Sequence, residues 1–220
     1  MPNLFYNFAA IKKLVMDTNE ELRQIKKALR TMMNGPVSAL MRRNGLQYKV
    51  NFGVELPRLE DFAKELPHTY NLAATLWKED IRECRLLACM LMPFEVFSRD
   101  LADIWLEQVR FAEEADALAM YLLSRLPYAS ELAFECIAGE NRMRRYIGYQ
   151  LLGRLFLQRC KPSFRDSQEF LDQVASDLTS TDQRVSLAAY KALMRYMDLG
   201  LVEERMGNRI LNKAMPVENE

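Results

Sequence analysis

The segment Asn141-Arg-Met-Arg-Arg-Tyr-Ile-Gly-Tyr-Gln-Leu-Leu152 has a polar start followed by an apolar seam, and this pattern decides the fold class. The Asn141 side chain can accept a hydrogen bond from a free N–H group at the start of a helix. Apolar residues then recur at spacings of three and four, which is the period of an amphipathic α-helix. The segment therefore predicts a capped helix with one buried face.

Three other segments repeat this pattern. They are Asp80-Ile-Arg-Glu-Cys-Arg-Leu-Leu-Ala-Cys-Met-Leu91, Glu113-Glu-Ala-Asp-Ala-Leu-Ala-Met-Tyr-Leu-Leu123 and Asp182-Gln-Arg-Val-Ser-Leu-Ala-Ala-Tyr-Lys-Ala-Leu193. In three of the four segments a tyrosine occupies the same place, at Tyr121, Tyr149 and Tyr190. Successive starts are 33, 28 and 41 residues apart, within the range of paired-helix repeats that stack into a solenoid. We therefore predict an all-α fold, an α-α superhelix (a right-handed solenoid) of HEAT-like helix pairs.

Apolar spacing and the positions of the prolines predict helices along the whole chain. Proline has no N–H group, so it is tolerated best in the gaps between helices, where it falls here. The predicted helices span residues 17–33, 36–43, 57–66, 68–77, 79–91, 98–110, 113–126, 128–138, 141–159, 167–178, 182–197 and 200–213. For three of these helices, Asp80, Asn141 and Asp182 are the predicted N-caps.

One stretch, residues 46–54, alternates apolar and polar side chains as a strand does. It is too isolated to found a sheet, and we interpret it as an extended connection that tucks its apolar side chains under neighbouring helices. The elements together predict a single domain over residues 1–220. Within that domain, residues 1–66 form N-terminal helices and the connection, residues 68–213 form the helix-pair array, and residues 214–220 form a tail.

The composition excludes several classes of protein. Half of the 220 residues are hydrophobic and 27% are charged, which is typical of a globular chain rather than a disordered one. No window of about 18 residues is free of polar side chains, so no membrane span is predicted, and residues 1–13 lack the pattern of a signal peptide. The cysteines have no Cys-x-x-Cys spacing and lie in apolar helical context, so Cys84, Cys89, Cys136 and Cys160 are predicted to be reduced, buried thiols. We expect a cytoplasmic monomer.

Several kinds of catalytic chemistry are absent from the sequence. The single histidine, His68, follows Pro67 and is predicted to be a structural or surface residue. With no second histidine and no paired cysteines, no metal site is predicted. The glycine-rich motifs that bind nucleotide phosphates do not occur. We therefore expect neither a metal nor an organic cofactor, and the enzymes still allowed are those that work with carboxylates, aromatic side chains and arginines.

Charge is unevenly distributed although the net charge is zero. Residues 1–98 carry 14 Lys and Arg against 11 Asp and Glu, residues 99–140 carry 3 against 9, and residues 141–220 carry 13 against 10. Neutrality by itself argues against a partner that is a polyanion. Two basic segments could nevertheless hold nucleic-acid phosphates around a central carboxylate, or the charges could be ordinary solvated helix faces.

If the four similar helices line the concave face of a solenoid, the polar positions near their starts become candidates for a binding surface. At equal offsets these positions are Glu83, Asp116, Arg144 with Arg145, and Val185. Arg142 adds a third arginine to the helix that starts at Asn141. Arginines and free N–H groups at a helix N-terminus suit a phosphate, and the alternative is a solvated helix start.

Two stretches resemble a known family. Tyr70-Asn-Leu-Ala-Ala-Thr-Leu-Trp-Lys-Glu-Asp-Ile-Arg-Glu-Cys-Arg-Leu-Leu-Ala88 resembles the Leu-Trp-x-x-x-x-Arg-Glu-x-Arg-x-Leu-Ala run of the DNA alkylation repair family, the HEAT-like-repeat alkylpurine DNA glycosylases of the AlkD type. Upstream, Met41-Arg-Arg-Asn-Gly-Leu-Gln-Tyr-Lys-Val-Asn-Phe-Gly-Val-Glu-Leu-Pro57 is similar to the connection before that family's first repeat. The resemblance covers about residues 36–200.

The resemblance implies a concave all-helical cradle that binds duplex DNA and hydrolyses the N-glycosidic bond of N3- or N7-alkylated purines without a cofactor. A carboxylate near the sugar would stabilise the positive charge that develops on the deoxyribose. The alternative is a catalytically inactive HEAT-like scaffold that binds DNA or a protein partner. We rank a DNA-binding repair-family protein first and leave enzymatic activity open.

The resemblance also suggests site residues. Asp116 matches the catalytic Asp of the family, and Arg145, with Arg144 beside it, matches the family arginine. Tyr190 stands at the position of a second active-site Trp and keeps an aromatic platform.

The chain departs from the family pattern four positions before Asp116, where Ala112 replaces a Trp and the adjacent Phe111 is aromatic. We predict Asp116 as the catalytic residue and Arg144, Arg145, Tyr190 and Phe111 as DNA-binding residues. Trp77 is predicted to pack inside its helix pair.

Overall fold

The structure, a computed structural model, describes the backbone of residues 4–214 and the side chains of residues 18–214. Residues 1–3, at the start examined for a signal peptide, and residues 215–220 of the predicted tail lie outside the described range. Within that range the chain is all-α. The helices are α1 Leu4–Thr31, α2 Gly35–Arg43, α3 Leu56–Lys64, α4 Tyr70–Trp77, α5 Arg82–Leu91, α6 Arg99–Glu107, α7 Ala112–Ala117, α8 Ala129–Ala138, α9 Arg142–Leu157, α10 Phe164–Asp177, α11 Gln183–Met197 and α12 Leu201–Ala214.

Each predicted helical window contains a helix, and two windows differ from the structure in an informative way. The first helix begins at Leu4, well before the predicted start at residue 17. The window 113–126 is not one continuous α-helix, because α7 is followed by a π-helical turn, Leu118–Leu122, and a 3₁₀ turn, Leu123–Arg125. Such a π-helical turn changes the direction in which the following side chains point.

Two of the three predicted helix caps are confirmed. The Asn141 side chain accepts hydrogen bonds from the N–H groups of Met143 and Arg144, and the Asp182 side chain caps α11 in the same way. The prediction for Asp80 was wrong, because Ile81 is the N-cap of α5 and supplies no side-chain cap. The backbone explains the difference: the Asp80 carbonyl accepts from the N–H of Val50 in the preceding connection.

Packing divides the chain into two compact units, Met1–Val96 (unit 1) and Phe97–Glu220 (unit 2). In unit 1 the extended connection is confirmed, because Tyr48, Phe52 and Val54 are buried. Val50 and Ile81 form the one isolated β-bridge of the described residues. Trp77 is buried as predicted, with the Arg85 guanidinium 3.8 Å from its ring centroid.

A buried carboxylate fastens the connection in unit 1. Glu83 accepts hydrogen bonds from the N–H groups of Phe52 (3.1 Å) and Val54 (3.2 Å). Arg82 forms an ion pair with Glu83 at 3.2 Å and donates to the Val54 carbonyl at 2.8 Å. Glu83 is fully buried, so its prediction as a binding-surface residue was wrong. The connection and Arg82 therefore supply hydrogen-bond partners to the buried Glu83 carboxylate.

Helix α9 lies at the centre of unit 2 and packs against α7, α8 and α11. Gly148 permits the approach of α8, because a Cβ there would lie 2.8 Å from the Ala133 carbonyl oxygen. Val185 on α11 is buried, which corrects its prediction as a surface residue. Although α9 packs against three helices, its residues Gln150 and Arg154 remain partly exposed.

The predictions for cysteine and histidine are mostly confirmed. Cys84, Cys89 and Cys136 are buried free thiols, and His68 is exposed. Cys160 is exposed, contrary to prediction, because it follows the end of α9 and a left-handed turn at Arg159. No helix in the described part of the chain has the length and apolar character to cross a membrane.

Candidate functional site

Asp116 on α7 is the centre of a hydrogen-bonded cluster in unit 2. Its Oδ1 accepts from the Tyr146 hydroxyl at 2.8 Å and from Gln150 Nε2 at 2.5 Å. Gln150 also contacts the Tyr146 hydroxyl at 2.7 Å, and the two residues lie one turn apart on α9. This triangle fixes the orientation of the carboxylate. Among the described residues, no side chain or backbone group donates to Asp116 Oδ2.

The electrostatic environment of Asp116 contains opposing effects. Burial raises the pKa of Asp116, while the hydrogen bonds from Tyr146 and Gln150 and the charges of Lys191 and Arg154 lower it; burial prevails. The carboxylate still has solvent-accessible surface, so it lies among protein atoms but stays open on one side. Burial also raises the pKa of Tyr146, which keeps its hydroxyl protonated as a donor.

The helix that carries Asp116 does not need it as a helix-start charge. Glu113 and Glu114 occupy the first turn of α7, where acids favour the helix dipole. Glu114 accepts from the N–H of Arg110 at 2.8 Å. The π-helical turn begins two residues after Asp116, and π-helical turns are frequent at functional sites.

Four cations near this cluster form no ion pair with a described acid. They are Arg154 on α9 and Arg184, Lys191 and Arg195 on α11. No ion pair or side-chain hydrogen bond joins any of them to another described residue. Residues 184, 191 and 195 are seven and four apart, so they share one face of the helix.

The same face of α11 also exposes apolar side chains. Leu187, Tyr190 and Met194 are 54%, 37% and 38% exposed. Their spacing of three and four interleaves them with the cations of α11. The "Asp116 face" denotes the surface formed by Asp116, Arg154, Arg184, Leu187, Tyr190, Lys191, Met194 and Arg195. It offers positive charge, apolar contact area and one carboxylate, which suits an anionic ligand with exposed rings or sugars.

The arginines expected at the start of α9 have acidic partners. Arg144 forms an ion pair with Asp103 at 3.1 Å. Arg145 forms one with Asp177, which also accepts from the Tyr149 hydroxyl at 2.6 Å. The structure therefore does not bring either guanidinium to Asp116. Their binding role stays a prediction. To bind a phosphate, each guanidinium would have to give up its ion pair with Asp103 or Asp177.

The predicted aromatic residues differ in position. Tyr190 is exposed on the Asp116 face. Phe111 is the N-cap of α7 and lies before the first helical residue, Ala112. The Arg110 guanidinium is 5.3 Å from the centroid of the Phe111 ring. A DNA-binding role for either ring stays a prediction.

Sequence reasoning missed Tyr146, Gln150 and the four unpaired cations. A signal was present, since Tyr146, Gln150 and Arg154 recur every four residues along α9. That spacing lines one face of a helix, but it does not show which face meets α7. Within residues 18–214, no group of three or more His, Cys, Asp or Glu side chains could hold a metal ion.

Comparison with known proteins gives one family and one solved structure. The model of a family described as DNA alkylation repair enzyme matches residues 25–197. No curated protein matches the chain. A solved structure from a family related to the HEAT-like repeat DNA glycosylases, with affinity for branched DNA structures, superposes with a TM-score of 0.80 at 17% identity. The match covers 87% of this chain and 82% of the other, and it confirms the predicted all-α fold of HEAT-like helix pairs.

Proposed function

This chain belongs to the DNA alkylation repair enzyme family, and we propose that it binds DNA through the Asp116 face of unit 2. The observation that carries the proposal is the set of unpaired cations, Arg154, Arg184, Lys191 and Arg195. When lysines and arginines neutralise phosphates, the DNA releases its condensed counterions, and this release supplies most of the non-specific affinity for DNA. The exposed Tyr190, Leu187 and Met194 supply contacts to sugars or unstacked bases.

We further propose that Asp116 acts on a deoxyribose during excision of an N3- or N7-alkylated purine. The alkylated base carries positive charge and leaves readily when the C1′–N bond breaks. Water then adds to C1′ and loses a proton. A carboxylate whose Oδ2 is unoccupied can stabilise the charge developing on the sugar. The Tyr146 and Gln150 hydrogen bonds to Oδ1 hold that carboxylate in place.

DNA binding without excision is the second candidate function. It is favoured by Ala112, which stands where the family pattern has a Trp beside the catalytic Asp. The related solved structure comes from a family with affinity for branched DNA, so branched DNA is included as a ligand. In either function Arg144 and Arg145 contribute less than the unpaired cations, since Asp103 and Asp177 already compensate the two arginines.

One experiment tests both functions. Binding of a fluorescent duplex and of a four-way junction is measured against salt for the wild type, for the double variant Arg184→Ala/Lys191→Ala, and for Arg165→Ala on α10 as a matched control. Affinity falls as salt rises, and the double variant should make this dependence less steep. The magnitude of the slope of log affinity against log salt should decrease by about 2, because each of the two cations neutralises one phosphate. Equal reductions in the control and the double variant would refute the Asp116 face as the binding surface.

The same proteins are incubated with methylated duplex DNA, and free 3-methyladenine and 7-methylguanine are quantified. Excision predicts release that falls by about a hundredfold or more in Asp116→Asn. Because burial raises the pKa of Asp116, release should increase as the pH rises through that raised pKa and the carboxylate ionises. Binding without release at enzyme excess would select the second candidate function.

A further inference from the structure

We propose that Arg154 and Arg195 together hold one phosphate of the DNA backbone beside Asp116, and that Gly153 provides the space in which Arg195 does so. The proposal rests on the proposed function, because it names the anion subsite within the Asp116 face. It predicts a localised site for a single phosphate rather than a diffuse positive surface.

The first support is the packing of Arg195 onto α9. A Cβ built at Gly153 would lie 2.6 Å from Arg195 Nη1 and 3.3 Å from its Cδ. Real side chains do not approach a Cβ that closely, so the guanidinium occupies space that only glycine leaves free. Gly153 has helical neighbours on both sides and no positive φ, so a backbone requirement does not explain the glycine. It allows Arg195 to pack onto α9 at the residue next to Arg154, whose charge acts on Arg195.

The second support is that the guanidinium groups of Arg154 and Arg195 form no ion pair with a described acid. Burial lowers the pKa of Arg195, the neighbouring charge of Arg154 lowers it further, and only the charge of Asp116 opposes them. Neither guanidinium has an ion pair or hydrogen bond with a described residue. Two partly desolvated like charges destabilise a fold unless an anion binds them. The charge of Asp116 offsets part of this repulsion, but neither guanidinium forms an ion pair with it, so the N–H groups of both stay available to a bound anion.

The third support concerns the kind of anion. Two guanidinium groups offer planar N–H forks that match the oxygens of a phosphate. Along α11 the row of cations continues from Arg195 to Lys191, about 6 Å along the axis, and on to Arg184, about 10.5 Å further. A strand of phosphates repeats its charge at regular intervals and suits such a row. The exposed apolar residues between the cations fit the sugars of that strand.

The test uses inorganic phosphate as a probe, at constant ionic strength with chloride as the counter-anion. Binding is followed by titration of amide chemical shifts in the full chain. The wild type should bind phosphate saturably, with the largest shifts at residues 153–154 and 191–195. Arg154→Ala, Arg195→Ala and Gly153→Ala should each weaken this binding by about tenfold or more. Arg165→Ala is the matched control and should leave it unchanged.

Gly153→Ala separates a binding role from a loss of folding, because its clash is with the flexible end of an arginine side chain. Its circular dichroism and melting curve should match the wild type while phosphate binding falls. The subsite is overturned if phosphate binding survives in both arginine variants. It is also overturned if DNA binding falls no more in Arg195→Ala than in Arg165→Ala. Saturable phosphate binding with no affinity for any DNA would keep the two arginines as an anion site, but it would refute both the proposed function and the assignment of that anion to the DNA backbone. An acidic peptide that competes with phosphate more strongly than DNA does would also overturn the assignment.

Discussion

Glu83 and Asp116 stand at the same offset from the start of two similar segments, yet they have opposite surroundings. Glu83 in unit 1 is fully buried and accepts from two backbone N–H groups and from Arg82. Asp116 in unit 2 is an exposed residue that accepts hydrogen bonds from two side chains at one oxygen. The Glu83 carboxylate is therefore fully engaged within the fold, whereas Asp116 accepts hydrogen bonds from the described residues at one oxygen only.

The difference comes from what lies over each helix. The connection at residues 46–54 crosses α5 and places Phe52 and Val54 against Glu83. The groups that donate to Asp116 on α7 are the side chains of Tyr146 and Gln150 on α9, and Asp116 remains exposed despite them. Position within a helix pair therefore does not decide whether a carboxylate is structural or functional; the covering segment does.

The largest expected effect is that of Glu83→Ala. It removes the buried carboxylate that pairs with Arg82 and accepts from two backbone N–H groups, so the free energy of unfolding of unit 1 should fall by about 3–5 kcal/mol. The measurement is urea unfolding followed by Trp77 fluorescence in a Trp105→Phe background, since the only other tryptophan lies in unit 2. Asp61→Ala, at an exposed acid of unit 1, is the control and should change stability by less than about 0.5 kcal/mol. A loss no larger than that of the control would show that Glu83 is not structural.

Gly53→Ala should have the next largest effect and tests how the connection reaches Glu83. Gly53 has φ +72°, and a Cβ there would lie 2.6 Å from Ser38 N and also contact the Asn34 carbonyl oxygen. Backbone strain and a clash with backbone atoms together should destabilise unit 1 by about 2 kcal/mol or more. Urea unfolding followed by Trp77 fluorescence, in the same Trp105→Phe background, measures this loss of stability. Gly35→Ala is the control, because its Cβ meets no atom within 4 Å and it lies in α2; equal behaviour of the two variants would contradict the structure.

Asp116→Asn should have the smallest effect on stability, and the effect should be favourable. Burial raises the pKa of Asp116, so the folded chain binds this proton more tightly than the unfolded chain does, and ionisation destabilises the fold as the pH rises through the raised pKa. The Asn variant removes that loss and keeps an oxygen for Tyr146 and Gln150.

The gain of Asp116→Asn should be below about 1 kcal/mol because the carboxylate is partly solvated. This gain in stability over the wild type should be absent at low pH. It should increase as the pH rises through the raised pKa of Asp116 and then remain constant at higher pH. Trp105 fluorescence in a Trp77→Phe background follows unit 2. Glu131→Gln, at an exposed acid on α8, is the comparison variant. A stability loss at neutral pH in Asp116→Asn, or a gain without pH dependence, would mean that Asp116 is a structural acid like Glu83.

The helices and the candidate carboxylate were both accessible from the sequence. Helix periodicity, the caps at Asn141 and Asp182 and the extended connection follow from local chemistry, and the structure confirms them. Asp116 was singled out by resemblance to the family, since local chemistry alone made it a helix-start charge. Asp80 failed as a cap because a distant segment, at Val50, bonded the backbone there.

The surroundings of that carboxylate were decided by tertiary structure alone. Arg144 and Arg145 acquire acidic partners 41 and 32 residues away, and no local pattern reports such a pairing. Arg154 and Arg195 have equally ordinary sequence contexts but form no ion pair among the described residues, and Arg195 packs against Gly153, the residue before Arg154. The sequence by itself determined which segments are helical and two of the three predicted caps, because hydrogen bonding and apolar spacing act within a few residues. Only the packing of helices distant in the chain decided which charges are compensated and which stay available, because electrostatic compensation depends on distance in space.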